Sequence, residues 1–190
     1  MLLYRLSLGS KKLIYDTAEF RDYVAITKTF ALAAASAFSS IVATTNSGTP
    51  FRFVYVAGGD TTTTPGRLTS FQARIKGETE LSLADMFKSN PTIKGYSVRP
   101  FAVDMDAQGE IKPYIGPRPL IHRAAGVLFG PVIRAYAKDY WAPTGPLGEF
   151  LTELALGQHD ISQDGAKLEV EVINGFAIWS NAAVRKVKVY

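Results

Sequence analysis

Two apolar runs with a helical pattern between them dominate the chain. Phe51–Val56 (FRFVYV) is apolar except at Arg52 and is bounded by Pro50 and Gly58-Gly59. That pattern predicts a strand buried on both faces. After the loop GGDTTTTPG, residues Phe71, Ile75, Leu83 and Phe87 fall on one side of a helix from about Thr69 to Lys88. Lys76 and Glu80, one turn apart, are expected to pair on its outer face. Tyr96–Val103 reads as the next strand, with regular pairing ending at the Arg99-Pro100 step. Strand, crossover helix and second strand make one βαβ unit of the type that builds a dinucleotide-binding sheet.

Upstream, Asp16 and Glu19 suit a helix start. Phe20, Tyr23, Thr27, Phe30, Ala34, Ala37 and Ile41 then recur every three or four residues, predicting one buried stripe on a long helix that ends near Asn46-Ser47-Gly48. Downstream, MDAQGEIKPYIGPRP reads as a long loop. A helix follows from near Pro119, re-capped at Gly130-Pro131, to about Tyr140. Thr144 is expected to cap a short helix that buries Leu147, Phe150, Leu151 and Leu154 and stops at Gly157. Lys167–Ile173 alternates strictly, as in a half-exposed strand, and Asn174-Gly175 suits a tight hairpin into Phe176–Trp179. Ser180-Asn181 would then cap a final basic helical turn.

A length of 190 residues suits one domain with its own core, and 47% hydrophobic with 20% charged residues is globular rather than disordered composition. The chain has no cysteine, which excludes disulfides, thiol chemistry and cysteine-containing zinc sites. His122 and His159 lack metal-ligand spacing, so no metal site is expected. Arg5, Lys11 and Lys12 surround a short apolar start, unlike a signal peptide, and Leu120–Ala137 is interrupted by Arg123, Arg134 and Gly130-Pro131, which makes it a poor membrane span. A soluble, cytoplasmic protein with no transmembrane segment is expected. The net charge of +4 is concentrated in Lys112, Arg118, His122, Arg123, Arg134 and Lys138, a stretch with no carboxylate. It reads as a solvated helix face, or as a surface for an acidic partner or an anionic membrane. Nothing in the sequence resembles a nucleic-acid module, so nucleic acid is not an expected partner.

The segments FRFVYVAGG, RIKGETEL and SVRPFAVD, in that order, resemble the second half of the atypical and extended short-chain dehydrogenase/reductases. The resemblance is strongest to the small NAD(P)-binding, nucleoside-diphosphate-sugar-epimerase-like proteins common in fungi. LSLGSKKL and EFRDYVAITKTFALAAASAF are similar to that group's fourth strand end and following helix, and TGPLGEFLTELALG and WSNAAVRKV to its last helices. The resemblance implies an α/β fold: a partial Rossmann-like, doubly wound and mostly parallel sheet with flanking helices and a small C-terminal substrate-type region. One domain is expected, with residues 1–104 as the second half of the sheet and 105–190 as a helical extension with a terminal strand or hairpin. The implied cofactor is NAD or NADP, with a small-molecule substrate. Lys76 matches the family lysine that holds ribose hydroxyls, and Gly58, Pro100 and Phe101 join it as implied cofactor-binding residues, the last two matching a loop beside the nicotinamide.

Two departures limit what the resemblance carries. Family members open with a GxxGxxG turn whose backbone holds the pyrophosphate at a helix N-terminus, and this chain starts after that region. Weakened dinucleotide affinity is the expected consequence. The family's catalytic Ser is Ala57 here, and the Tyr of Tyr-x-x-x-Lys is Gln72. Neither can exchange a proton, so no catalytic residue is assigned. Tyr55 and Tyr96 lie on strands, and Asp104 and Asp106 read as a solvated turn. The expected function is an NAD(P)-binding epimerase- or reductase-like protein without the Ser/Tyr pair. The alternative is a non-catalytic binding or scaffold protein on the same fold, using the basic segment 112–138. With neighbouring strands absent, Phe51–Val56 would present an open edge through which the chain self-associates.

Overall fold

Alternating apolar strands and amphipathic helices build the core of a computed structural model that describes residues 18–44, 48–104, 136–159, 168 and 170–188. In chain order the elements are α1 (Ala18–Thr44), β1 (Phe51–Val56), α2 (Phe71–Lys88), β2 (Ile93–Arg99), β3 (Ala102–Asp104), β4 (Trp141–Pro143), α3 (Thr144–Leu156), β5 (Glu171–Ile173), β6 (Phe176–Ser180) and α4 (Asn181–Lys188). The main sheet has the order β1-β2-β6-β5. β1, β2 and β6 run parallel, and β5 is antiparallel to β6. The protein is therefore mixed α/β, with a mostly parallel sheet flanked by helices.

Successive residues of a strand point to opposite faces, and β2 and β6 feed two separate cores. Ile93, Phe176 and Ile178 meet Leu83, Ala84 and Phe87 of α2 and Ala35 of α1. Tyr96, Val98, Ala177 and Trp179 meet Leu147, Phe150 and Leu154 of α3 and Ala183 and Val184 of α4. Gly95 is needed on the α2 side of the sheet, because a Cβ there would lie 2.4 Å from both the Phe87 and Phe176 rings.

Several expected elements form as read. Ser70 caps α2 by accepting from the Ala73 N–H, and Ile75, Leu83 and Phe87 are buried. Asn174 and Gly175 both adopt positive φ, 53° and 83°, as a primed two-residue turn requires. Ser180 accepts from the Ala183 N–H at the start of α4. Gly157, at φ 80°, ends α3 by donating to the Leu154 carbonyl. The long loop after Asp104 and most of the helix expected from Pro119 lie outside the described residues.

Other expectations are corrected. β1 is half-buried along its length, with Val56 48% exposed, rather than buried on both faces. Among the described residues it pairs only with β2 and is an edge strand. The strand expected over Tyr96–Val103 begins earlier and divides at Pro100: β2 stays in the main sheet, while β3 pairs with β4 in a second, two-stranded sheet. Pro100 has no N–H to continue the ladder. Thr144 is the first residue of α3 rather than its cap, and its hydroxyl donates to the Asp104 carbonyl instead. β5 is shorter than the expected Lys167–Ile173 strand.

The largest departure is in α1. Residues Ala25–Thr29 form a π-helical stretch, which takes more residues per turn and rotates everything after it relative to a regular helix. Phe20 and Tyr23, before the stretch, pack on Phe71 with ring centroids 4.8 and 6.0 Å apart. Beyond it, Phe30 is 63% and Ile41 59% exposed, while Ala35, one position past the expected Ala34, is fully buried. α1 is also long and apolar enough to cross a membrane, with mean hydropathy 1.4.

The last helix is tied down by charge. Lys188 donates to Glu153 at 2.6 Å and to Glu149 at 3.1 Å, and His159 lies 2.8 Å from Glu153. The Lys188 hydrogen bond, then that of His159, lowers the Glu153 pKa, and the same Lys188 bond raises the lysine's own pKa. A lowered carboxylate pKa stabilises the fold above the unfolded-state value and loses that stabilisation as pH falls through the folded value. Lys188→Ala is therefore expected to lower the melting temperature at neutral pH. The difference from the parent should shrink through the acid range in which carboxylates protonate; a pH-independent difference would contradict this assignment.

Candidate functional site

At the carboxyl ends of β1 and β2 the chain makes two turns that face each other. The first follows Val56: Ala57 N–H still donates to the Val98 carbonyl at 2.9 Å, and a turn then closes through Thr61 N–H to the Gly58 carbonyl at 3.1 Å. Gly58 sits at φ 136°, a conformation that side chains rarely adopt. A Cβ on Gly58 would lie 2.9 Å from Lys76 Nζ, and one on Gly59 only 2.1 Å from the Phe101 ring. The two glycines thus leave room for a lysine and an aromatic side chain at the mouth of the sheet.

Of the residues marked by the sequence, Gly58, Lys76 and Phe101 converge here, whereas Pro100 is buried. Lys76 is not paired with Glu80 as expected. Its ammonium lies 3.2 Å from Asp60 Oδ1 in the glycine turn, with the lysine side chain 22% and the aspartate 51% exposed. Phe101 meets the Tyr140 ring edge-on at 4.9 Å, and both rings are about half exposed. The sequence pattern does not single out Asp60 or Tyr140. Asp60 is legible in retrospect as the acid beside the glycine pair, but Tyr140 follows a segment too remote in sequence to be placed.

The supports behind these side chains are polar, and Glu80, Ser97 and Asn181 among them are buried. Glu80 is fully buried and accepts from Ser97 Oγ at 2.6 Å and from Arg99 Nε and Nη2 at 3.0 and 2.6 Å. This bidentate pair joins α2 to β2. Arg99 Nη1 also reaches Glu171 at 3.5 Å, and Glu171 accepts from Thr63 in the threonine-rich loop at 3.0 Å. That loop presses on α2 at Gly77, where a Cβ would lie 1.9 Å from the Thr62 carbonyl oxygen. On the other side, Asn181 accepts from Phe101 N–H at 3.4 Å and donates to the carbonyls of Asp139 and Trp141 at 2.7 and 2.9 Å. It thereby anchors the backbone at or beside both aromatic residues of the mouth to the start of α4.

The remaining candidates lie elsewhere or play other parts. Tyr55 sits between α1 and α2, with its hydroxyl 3.5 Å from the Thr27 carbonyl, and burial pushes its pKa up to about 12. Tyr96 is 3% exposed in the α3-side core. Gln72 is exposed and Ala57 half-buried, and neither carries an ionisable group. Asp104 is not a solvated turn residue: its Oδ2 accepts from Trp141 Nε1 at 2.9 Å and holds β3 to β4. Asp106, His122 and the basic residues from Lys112 to Arg134 lie outside the described residues. Chemically, the mouth offers an ammonium donor, a carboxylate acceptor and two aromatic edges, a combination suited to holding hydroxyls beside a planar ring.

No family model matches the chain, and no solved structure matches it. The chain is 38% identical over 139 residues to "Botcinic acid biosynthesis cluster B protein 16" of Botryotinia fuckeliana (strain B05.10), an alignment covering 72% of this chain and 85% of that protein. The chain belongs to the family of that protein. The relative's name connects it with a biosynthesis cluster and states no reaction.

Removing the Glu80 carboxylate should test the support of the site. Glu80→Ala leaves Arg99 without its buried partner and is expected to lower stability by about 3–5 kcal/mol in urea unfolding. A loss below about 1 kcal/mol would mean that the pair is not the lock between α2 and β2.

Proposed function

We propose that the chain is an NAD(P)-binding protein on a Rossmann-like sheet, related to the epimerase- and reductase-like short-chain dehydrogenases, and that it binds more than it catalyses. The observation that carries this reading is the convergence of Gly58, Lys76 and Phe101 at the carboxyl ends of parallel β1 and β2. Open α/β sheets take their ligands at that end. The short-chain dehydrogenase resemblance assigns Lys76 to the ribose, Phe101 to the nicotinamide side and Gly58 to the cofactor site, and the two glycines leave the space that Lys76 and Phe101 occupy. Lys76 and Asp60 would hold ribose hydroxyls, and Phe101 and Tyr140 would flank the ring. When bound, a nicotinamide cofactor supplies hydride chemistry.

One feature favours binding over turnover. Ala57 and Gln72 stand where the related enzymes carry their proton-transferring Ser and Tyr. The relative's name makes a role in making a fungal natural product a reasonable setting for a small-molecule substrate, and a cytoplasmic location fits a pool of NADPH. The second reading is a non-catalytic scaffold on the same fold, and Ala57 and Gln72 favour it as well.

Titration of the folded chain with NADH and NADPH, followed by nicotinamide fluorescence, tests the proposal. Saturable binding is expected, weakened roughly tenfold or more by Lys76→Ala, the loss expected of a charge-assisted hydrogen bond. No binding at millimolar cofactor, from a sample shown by circular dichroism to be folded, would overturn the cofactor reading and leave the scaffold.

A further inference from the structure

The stripe Phe30, Ala34, Ala37 and Ile41 has the periodicity of a buried helix face, yet among the described residues Phe30, Ala37 and Ile41 are exposed and Ala34 is half-buried. With Ile26, 64% exposed, and Phe38, 41% exposed, it forms a continuous apolar flank on α1. We propose that this flank is buried against a second copy of the chain, with the two α1 helices packed antiparallel about a two-fold axis near Ala34.

Size and spacing argue for that occupant. An antiparallel pair whose two-fold axis passes between Ala33 and Ala34 sets Phe30 over Ala37 of the partner subunit, a large side chain over a small one. The same register sets Ile26 against Ile41 of the partner subunit. Ala34 lies at the crossing, next to Ala34 of the partner subunit, where small residues let the backbones approach. Such a surface is self-complementary, as a two-fold interface must be. Ile26, Phe30, Phe38 and Ile41 together expose on the order of 500 Å² per copy. With the exposed Ala33 and Ala37 and the helix rim, this approaches the roughly 800 Å² per partner of a stable interface. Three hydroxyls near the C-terminal end of this helix are satisfied within it: Ser39, Ser40 and Thr44 donate to the carbonyls of Ala35, Ser36 and Ile41.

A membrane fits the same flank less well. The inner face of α1 is already held by the sheet and α2, through Ala35, the Phe38–Phe51 stack at 5.1 Å and the Lys28–Glu78 pair at 3.2 Å, and spanning a bilayer would break these. Lying on an anionic surface calls for basic residues beside the apolar face. The exposed charges of α1 are Glu19, Arg21 and Asp22, which are net acidic.

Sedimentation velocity on the full chain across a concentration series tests the proposal, with a reversible dimer expected. Phe30→Glu lies at an exposed position and should leave the far-ultraviolet circular dichroism unchanged while weakening the dimer by about a hundredfold or more. The register is tested by exchange: Phe30→Ala and Ala37→Phe should each weaken association, and the two together should restore it. Because the chain has no cysteine, Ala34→Cys should cross-link under mild oxidation and Ala43→Cys should not. A monomer at all concentrations, or a dimer untouched by Phe30→Glu, would overturn the proposal. So would a monomer that floats with phosphatidylcholine vesicles.

Discussion

A fully buried carboxylate on α2, clamped by an arginine at the end of β2, is the constraint around which this structure is arranged. Burying a charged pair is expensive, and it persists only where geometry is good and the remaining valences are satisfied. Here Ser97 takes up one Glu80 oxygen and Arg99 contacts both. The pair fixes how far α2 slides along the sheet and how it is rotated. Lys76 is one helical turn before Glu80, and Phe101 is two residues after Arg99, so both are placed by the same lock. Its extension through Glu171 to Thr63 ties down the loop that begins with Gly58.

The sheet around this lock is asymmetric. β2 is central, largely buried, and supplies residues to both cores. β1 is half-buried at the edge of the described sheet, and α1 beside it is apolar on more than one flank. Ile26, Phe30, Phe38 and Ile41 expose apolar surface along α1, while the mouth with Lys76, Asp60 and Tyr140 opens at the strand ends. The binding proposed at the strand ends and the association proposed along α1 would be spatially separate demands on the sequence.

Many of these elements are legible in the sequence alone. The β1–α2–β2 unit, the Ser180 cap, the Gly157 stop and the Asn174-Gly175 hairpin are local signals, set by periodicity and by residues that favour one backbone conformation. What escapes a sequence reading depends on tertiary context or on helix phase. A π stretch leaves no mark in a three-four spacing count, so that count puts Phe30 and Ile41 on the wrong side of α1. Lys76 and Glu80 are ideally spaced to pair on a helix, but Arg99 offers Glu80 a bidentate partner that the sequence does not reveal as a neighbour. Asp104 reads as solvated because its partner, Trp141, is distant in sequence. For the site, the short-chain dehydrogenase resemblance marks Gly58, Lys76, Pro100 and Phe101, of which Pro100 is buried, and folding adds Asp60 and Tyr140.

A ligand site at the carboxyl ends of β1 and β2 is tested most directly by nuclear magnetic resonance, following the amide resonances of the isotope-labelled full chain as NADPH is added. Shifts concentrated at Gly58–Thr61, Lys76–Gly77, Phe101 and Tyr140 are predicted. Shifts confined to α1 or the β5–β6 hairpin, or none at millimolar cofactor, would contradict it.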